Sequence, residues 1–312
     1  MSNVLEDDLQ ARPWTSSPWY FREELGQGAF AKVYLAEERN TKKKYAVKVL
    51  AKATNGYSII AAEIQVLRRV ASEAVSNPHI VHLQEVYQDD FNVYLVLDLC
   101  RGPLLSDVLS LGGPLHEPVA MKILRQVVSA LSSLHSIGIL HRDIKPENIM
   151  WENASSQSPL QVFDFGLSCV EGTRGASALA GELLGTVNYI APEVFQSRRY
   201  TRACDIWSAG IVAHELLCGD VPFANEAQIK LSPLTFSEPA WKTVSPEAKS
   251  LVRWMLERVP RNRPTAEQLL QHPCLRADPP EPTAREDIGR REGTAGGTCS
   301  PRVGHGGGSG AG

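Results

Sequence analysis

His141-Arg142-Asp143-Ile144-Lys145-Pro146-Glu147-Asn148 follows an apolar helical run, and Asp164-Phe165-Gly166 comes 21 residues after Asp143. The first stretch holds a carboxylate, an ammonium and a carboxamide within six residues, and the second motif adds another carboxylate. Such a set suits phosphoryl transfer, where catalysis is mainly positioning and charge neutralisation and no covalent enzyme intermediate is needed. Asp143 is fitted to orient an attacking hydroxyl and Lys145 to offset phosphate charge. Asn148 and Asp164 are fitted to hold Mg²⁺, a hard cation that prefers oxygen ligands.

Outward from this centre, Pro118 to His135 carries Val119, Ile123, Leu124, Val127, Val128, Leu131 and Leu134 on one broad stripe, which predicts a packed helix delivering the chain to the loop. Further helices are expected at about 203–218, 247–257 and 265–271, the last opened by a Thr265 or Pro264 cap. Upstream, strands are expected at Phe21 to Gly26, Ala31 to Ala36, Tyr45 to Leu50, Ile80 to Leu83 and Val93 to Leu99. An amphipathic helix is expected over Ile59 to Val70, with Glu63 beside its apolar face. Leu25-Gly26-Gln27-Gly28-Ala29-Phe30-Ala31-Lys32-Val33 links two strands, where missing side chains let backbone N–H groups approach a triphosphate. Alone, that pattern is more often just a hairpin. It gains meaning from Ala46-Val47-Lys48 on the next strand, because a lysine in an apolar cleft needs anionic partners, which phosphate and Glu63 would supply.

Order and spacing across about 250 residues resemble the eukaryotic protein kinases, and Lys145-Pro146-Glu147-Asn148 resembles their serine/threonine branch. Leu99-Cys100-Arg101-Gly102, Phe163-Asp164-Phe165-Gly166-Leu167-Ser168 and Trp241 to Lys249 resemble the calcium/calmodulin-dependent group, and within it the calcium-dependent protein kinase catalytic domain. The resemblance implies an α+β bilobal fold, with a small five-stranded antiparallel N-lobe carrying helix C and a larger, mainly helical C-lobe. The N-lobe would span about 19–97, and the hinge and C-lobe about 98–275.

The family's roles, carried over residue by residue, make Asp143, Lys145, Asn148 and Asp164 catalytic, with ATP and Mg²⁺ as cofactors and Asn148 and Asp164 as metal ligands. Lys48 and Glu63 would form the ATP-anchoring pair. Val33, Ala46 and Met150 would sandwich adenine, and the backbones of Asp98, Leu99 and Cys100 would offer hinge hydrogen bonds. Leu97 would be the residue at the back of the pocket, and Leu67, Leu83, His141 and Phe165 a stacked column between the lobes. Gly185-Thr186 to Ala191-Pro192-Glu193 resembles the end of an activation segment, with Glu193 pairing to Arg263 and Asp205 accepting backbone hydrogen bonds from the catalytic loop. Glu182 stands where many relatives carry an activating phosphothreonine, near Arg142, which implies basal activity without phosphorylation. Ala31 departs from the pattern by replacing the third loop glycine. Only 12 residues separate Phe223 from Phe236, and Pro233 interrupts them, so the docking helix of many relatives must be short or rearranged here. A pseudokinase-type scaffold and a small-molecule kinase are the alternatives. Intact Lys48, Glu63, Asp143, Asn148 and Asp164 weigh against the first, and Ala191-Pro192-Glu193 against the second.

The partners expected are proteins with Ser or Thr acceptors. With 32 basic and 35 acidic residues, the net charge of −3 gives no reason to expect nucleic acid. No apolar run approaches a membrane span, and the acidic N-terminus lacks a signal core and has Ser2 where a myristoylated chain has glycine. A cytoplasmic protein, with nuclear residence open, is expected. Six scattered cysteines without metal-site spacing read as reduced thiols, and Cys100 as a half-buried hydrophobe rather than a reactive group. No Asp-x-Asp-x-Asp-Gly run occurs, and no basic amphipathic helix for calmodulin is evident, so no direct calcium or calmodulin site is expected. Residues 1–18 read as a disordered leader, with Trp14 and Trp19 as its only large anchors. Residues 276–312 hold 10 of the 24 glycines and only Ile288 and Val303 as large aliphatics, and read as a disordered tail.

Overall fold

The computed structural model describes residues 9–28, 31–72, 77–155, 157–172, 185–197, 199–237 and 239–276. Ala29, Phe30, Glu182 and the glycine-rich residues after 276 lie outside them.

The small lobe is built from strands β1 (Arg12–Pro13), β2 (Trp19–Gln27), β3 (Ala31–Glu38), β4 (Lys44–Ala51), β5 (Leu83–Gln88) and β6 (Asn92–Leu97), with helices α1 (Lys52–Asn55) and α2 (Tyr57–Ser72) between β4 and β5. Their order in the sheet is β1-β5-β6-β4-β3-β2. Side chains alternate across a strand, so the sheet has two faces with separate cores. One buries Trp19, Tyr45, Val47, Tyr87, Tyr94 and Val96. The other joins Leu50, Leu83, Val86, Val93 and Leu95 to Ile60, Ile64, Leu67 and Val70, the apolar stripe of α2.

Two expectations need correction. The fourth strand is not Ile80 to Leu83 but Leu83–Gln88. Its polar Gln84, Glu85 and Gln88 hide the strand in the sequence. Ile80 instead bridges Val162 across the lobes, with Val81 N–H donating to the Val162 carbonyl at 3.1 Å. The five expected strands also gain a sixth, because residues 9–18, read as part of a loose leader, are packed. Leu9 is buried, β1 pairs parallel to β5, and Trp14 stacks on Tyr94. Aromatic stacking and one short stretch of pairing order a segment too polar to form a core of its own.

The larger lobe is organised by α4 (Glu117–Ser136) and α6 (Arg202–Cys218), which is buried along nearly its whole length. Gly210 allows the close approach of α8 (Pro246–Met255), since a Cβ there would lie 2.9 Å from Met255 and Leu256. Thr265 caps α9 (Ala266–Leu270) by accepting from Gln268 N–H, as its position before the apolar run predicts. The remaining helices are α3 (Leu105–Gly112), α5 (Pro192–Ser197), α7 (Glu226–Leu231) and α10 (Pro273–Arg276). α7 is the shortened helix expected between Phe223 and Phe236. Two short antiparallel pairs, β7 (Ile139–Leu140) with β10 (Cys169–Val170) and, as a hairpin nested between them in the chain, β8 (Ile149–Trp151) with β9 (Leu160–Val162), frame the His141–Asn148 stretch and the Asp164 turn. Among the described residues, no helix is long and apolar enough to cross a membrane.

Candidate active site

The β7–β10 and β8–β9 pairs hold the catalytic loop and the Asp164 turn side by side. Asp205, 1 % exposed on α6, anchors the loop from beneath. Its Oδ1 accepts from Arg142 N–H at 2.8 Å, and its Oδ2 from His141 N–H at 3.0 Å, with His135 Nε2 also at 2.9 Å. Burial alone would raise the Asp205 pKa, but His135, His141 and the Arg142 N–H outweigh it and hold the group below the ordinary aspartate range. Arg142 has φ +67°, a left-handed conformation that a non-glycine residue keeps only when its surroundings demand it. Burial pushes the neighbouring His141 imidazole down, favouring its neutral form, and its Nε2 lies 3.2 Å from the Phe163 carbonyl.

Within the loop, Asp143 Oδ2 takes both Lys145 Nζ at 2.8 Å and Asn148 Nδ2 at 2.9 Å. Lys145 Nζ also donates to Thr186 Oγ1 at 2.9 Å, so the end of the activation segment is tied to the loop. Gly185 makes that approach possible. Its φ is +96°, and a Cβ would meet the Arg142 carbonyl at 3.0 Å. Asp143 Oδ1 is buried with no partner among the described residues. A buried carboxylate oxygen left without a donor suits a group meant to receive one.

Across the cleft, Lys48 and Val33 face each other in register, as do Ala46 and Leu97. The strand period puts Val33, Ala46, Lys48 and Leu97 on one face. Lys48 Nζ donates to Glu63 Oε1 at 2.7 Å and to Asp164 Oδ1 at 2.8 Å. Burial works against the ammonium, but Glu63 and Asp164 outweigh it and hold its pKa above the ordinary lysine value. Burial likewise disfavours the Asp164 carboxylate, and Lys48 with the Gly166 N–H holds it below its usual range. Asp164 too is left-handed, at φ +63°. Three residues spread over 116 positions thus meet at one ammonium. Of the column residues, His141 and Phe165 touch at 5.2 Å between ring centres, and Leu67 and Leu83 are buried in the same core.

The other nucleotide candidates fall as follows. Leu25, Gly26 and Gln27 end β2, Ala31 and Val33 lie on β3, and Gly28 N–H donates to the Ala31 carbonyl at 2.9 Å. Met150 lies on β8, bridged to Leu104. Asp98 N–H is taken by the His82 carbonyl, which leaves the Asp98 carbonyl for a hinge contact. Cys100 Sγ lies 3.1 Å from Gln161 Oε1, and burial, with Asp98 and Glu152, pushes its pKa up to about 12. An un-ionised thiol is a poor nucleophile. Glu193 and Arg263 pair through two 2.6 Å contacts, with the Arg263 guanidinium 5.0 Å from the Trp207 ring.

The donor set fits Mg²⁺. Asn148 spends its amide N–H groups on the Asp143 carbonyl and Oδ2, which leaves its carbonyl oxygen as the available ligand. Asp164 is partly exposed and has Oδ2 beyond its Lys48 contact. Among the described residues, no group of three or more His, Cys, Asp and Glu is arranged to hold a metal. One amide and one carboxylate, completed by phosphate oxygens, is how this ion is commonly held.

His135 and Tyr189 are contacts that sequence reading missed. His135 ends the α4 stripe and binds Asp205 across 70 positions, and Tyr189 OH donates to Glu215 Oε2 at 2.7 Å. No local pattern signals either.

A two-lobed chain with an ammonium, two metal-suited oxygens and a carboxylate facing one cleft belongs to the class of nucleotide-dependent phosphotransferases. Residues 19–275 match the protein kinase domain, and the chain belongs to that family. It is 38 % identical over 271 residues to calcium/calmodulin-dependent protein kinase type 1B of Rattus norvegicus and of Homo sapiens, covering 84 % of this chain and 76 % of each relative. It is 34 % identical over 269 residues to calcium-dependent protein kinase 12 of Arabidopsis thaliana, covering 82 % of this chain and 53 % of that one. The chain is a protein serine/threonine kinase of the calcium/calmodulin-dependent group.

Proposed function

We propose that the chain transfers the γ-phosphate of ATP to Ser or Thr hydroxyls of protein substrates, with Asp143 orienting the acceptor hydroxyl and taking its proton. Lys145 offsets charge on the phosphoryl group in transit, and Lys48, held by Glu63, neutralises the nucleotide phosphates. Bound between Asn148 and Asp164, Mg²⁺ would supply charge neutralisation between the phosphates. Geometry contributes more than basicity, because Lys145 and Asn148 fix the Asp143 carboxylate and leave Oδ1 for the hydroxyl. The single observation that carries the reading is the meeting of Glu63, Lys48 and Asp164 across the cleft. A generic basic protein with Mg²⁺ and ATP tests it. Wild type is expected to turn over, and Asp143→Asn and Asp164→Ala each to lose about 10²–10⁴-fold in kcat. A wild type that transfers nothing would be a scaffold; one that phosphorylates only small molecules would overturn the protein-substrate assignment.

A finer proposal concerns Glu182, which lies outside the described residues. We propose that its carboxylate stands in for an activating phosphate opposite Arg142, giving basal activity without phosphorylation. The cation supports this reading. Arg142 is nearly buried beside Asp143, donates from Nε to the Leu167 carbonyl at 2.5 Å and rests against Tyr200. A guanidinium has further donors to offer. Glu182→Ala should lower kcat by roughly fivefold with folding unchanged. Equal rates for the two proteins would exclude the idea.

Calcium and calmodulin in the relatives' names describe those proteins.

A further inference from the structure

Residues 9–18 hold too few apolar side chains for a core, yet they tie helix α2 to the sheet. Leu9 is 3 % exposed and belongs to the main core, which also takes in the apolar stripe of α2 and Leu83 and Val86 of β5. The Gln10 carbonyl accepts from Arg68 Nη2 of α2 at 2.9 Å. Arg12 Nη1 pairs with Glu85 Oε1 of β5 at 2.6 Å. Trp14 then lies flat on Tyr94 of β6, ring centres 4.1 Å apart, and edge-on to Tyr87 of β5 at 5.8 Å. Gln10 sits at φ +47°, a strained conformation for a non-glycine residue that contacts on both sides must hold.

What this strap holds is the helix that carries Glu63. α2 meets the sheet through one apolar stripe, and apolar contacts are non-directional, so the stripe alone resists sliding and rotation weakly. Hydrogen bonds supply direction. Arg68, five positions after Glu63 on the same helix, makes one to the Gln10 backbone.

We propose that Leu9–Trp14 is a positioning segment for phosphoryl transfer, holding α2 where Glu63 meets Lys48. This inference rests on the kinase reading of the site. It makes the Lys48–Glu63 pair a property of the chain by itself, with the N-terminal segment as the place where it is set.

The test uses the full chain with Arg68→Ala and Leu9→Ala, each made alone and combined with Glu63→Gln, with unfolding midpoints recorded for all. The expected result is a loss of roughly tenfold in kcat/KM for Arg68→Ala and Leu9→Ala, which disappears when Glu63 is already Gln. Arg68→Lys, which can still donate to the Gln10 carbonyl, should recover part of the loss. Hydrogen exchange should accelerate in α2 and not in α4. Should Leu9→Ala fail to fold, Arg68→Ala and Arg68→Lys carry the test alone. Wild-type rates in both strap variants, or an equal proportional loss with and without Glu63, would overturn the proposal while an active wild type left the kinase reading standing. An inactive wild type would remove both.

Discussion

The cleft is held in two different ways. On the large-lobe side, the catalytic loop hangs on Asp205, a carboxylate 1 % exposed that accepts two backbone N–H groups and one imidazole. Toward the small lobe, the neighbouring Asp164 turn meets Glu63 of α2, among the described residues, through the tip of Lys48, and Asp164 is substantially exposed. Two left-handed residues are kept in place here, Arg142 in the loop and Asp164 in the turn beside it. Backbone hydrogen bonds to a buried acceptor leave the loop no alternative arrangement, because each lost bond would strand a buried polar group. An ion pair between flexible side chains on different elements can be broken and remade. The loop is therefore built into the folded state, whereas the Lys48 contacts can report whether α2 and the Asp164 turn are in position.

The largest expected effect comes from removing the fixed side. Asp205→Ala leaves the His141 and Arg142 N–H groups and the His135 ring without their acceptor and frees Arg142 from its strained conformation. A loss of about 3–5 kcal/mol in unfolding free energy is expected, with activity lost alongside. The pH dependence carries a sign as well. The folded Asp205 pKa lies below the ordinary 3.8, so its contribution is present above that value and is lost as pH falls through the depressed folded value. Urea unfolding of wild type should therefore weaken on the acid side more steeply than that of the variant. A variant as stable as wild type would mean that the loop is held by something other than Asp205.

Glu63→Gln tests the adjustable side. Gln keeps an oxygen for Lys48 and removes only the charge, while Asp164 still pairs with the ammonium. The expected outcome is a loss of about 10–100-fold in kcat/KM for ATP-dependent transfer, with a loss in unfolding free energy of about 1–3 kcal/mol, smaller than that for Asp205→Ala because Asp164 and the Gln oxygen still accept from the ammonium. A large stability loss with little change in rate would reverse the division of labour between the two sides.

The same division explains what could be read without a structure. Asp143, Lys145, Asn148 and Asp164 lie close together in sequence or at fixed spacing because one loop and one turn must present them together, so order alone locates them. Lys48 and Glu63 would each read alone as a surface residue, and they were legible as a pair only beside the downstream catalytic motifs and the family resemblance these carry. Asp205 was legible only through resemblance, and its third partner, His135, was not, since nothing local links positions 70 apart. Strand β5 was misplaced because Gln84, Glu85 and Gln88 interrupt its apolar pattern. The segment at 9–18 was missed for a related reason. Leu9 joins a core made by the rest of the chain, Trp14 stacks on the distant Tyr94 as well as on the nearby Phe21, and two residues of strand pairing leave no periodicity to detect.

The smallest expected effect concerns a carboxylate that lacks both kinds of support. Glu215, on α6 ten positions beyond Asp205, is half-buried, and burial raises its pKa above the ordinary 4.5. The Tyr189 hydroxyl opposes the rise, but Glu147 and Asp220 add to it. The sign is therefore opposite to that of Asp205 and Asp164. A raised folded pKa contributes stability that is fully present below 4.5 and is lost as pH rises through the folded value. Glu215→Gln retains an oxygen to accept from Tyr189 and removes the charge. Its unfolding free energy should match wild type near pH 4 and exceed it at pH 7.5, by up to about 1 kcal/mol. A variant less stable than wild type at pH 7.5 would show that the charged hydrogen bond from Tyr189 outweighs desolvation and repulsion. One phenol would then support a half-buried carboxylate as effectively as backbone donors support Asp205, and the contrast between fixed and adjustable sides would no longer depend on what kind of group donates.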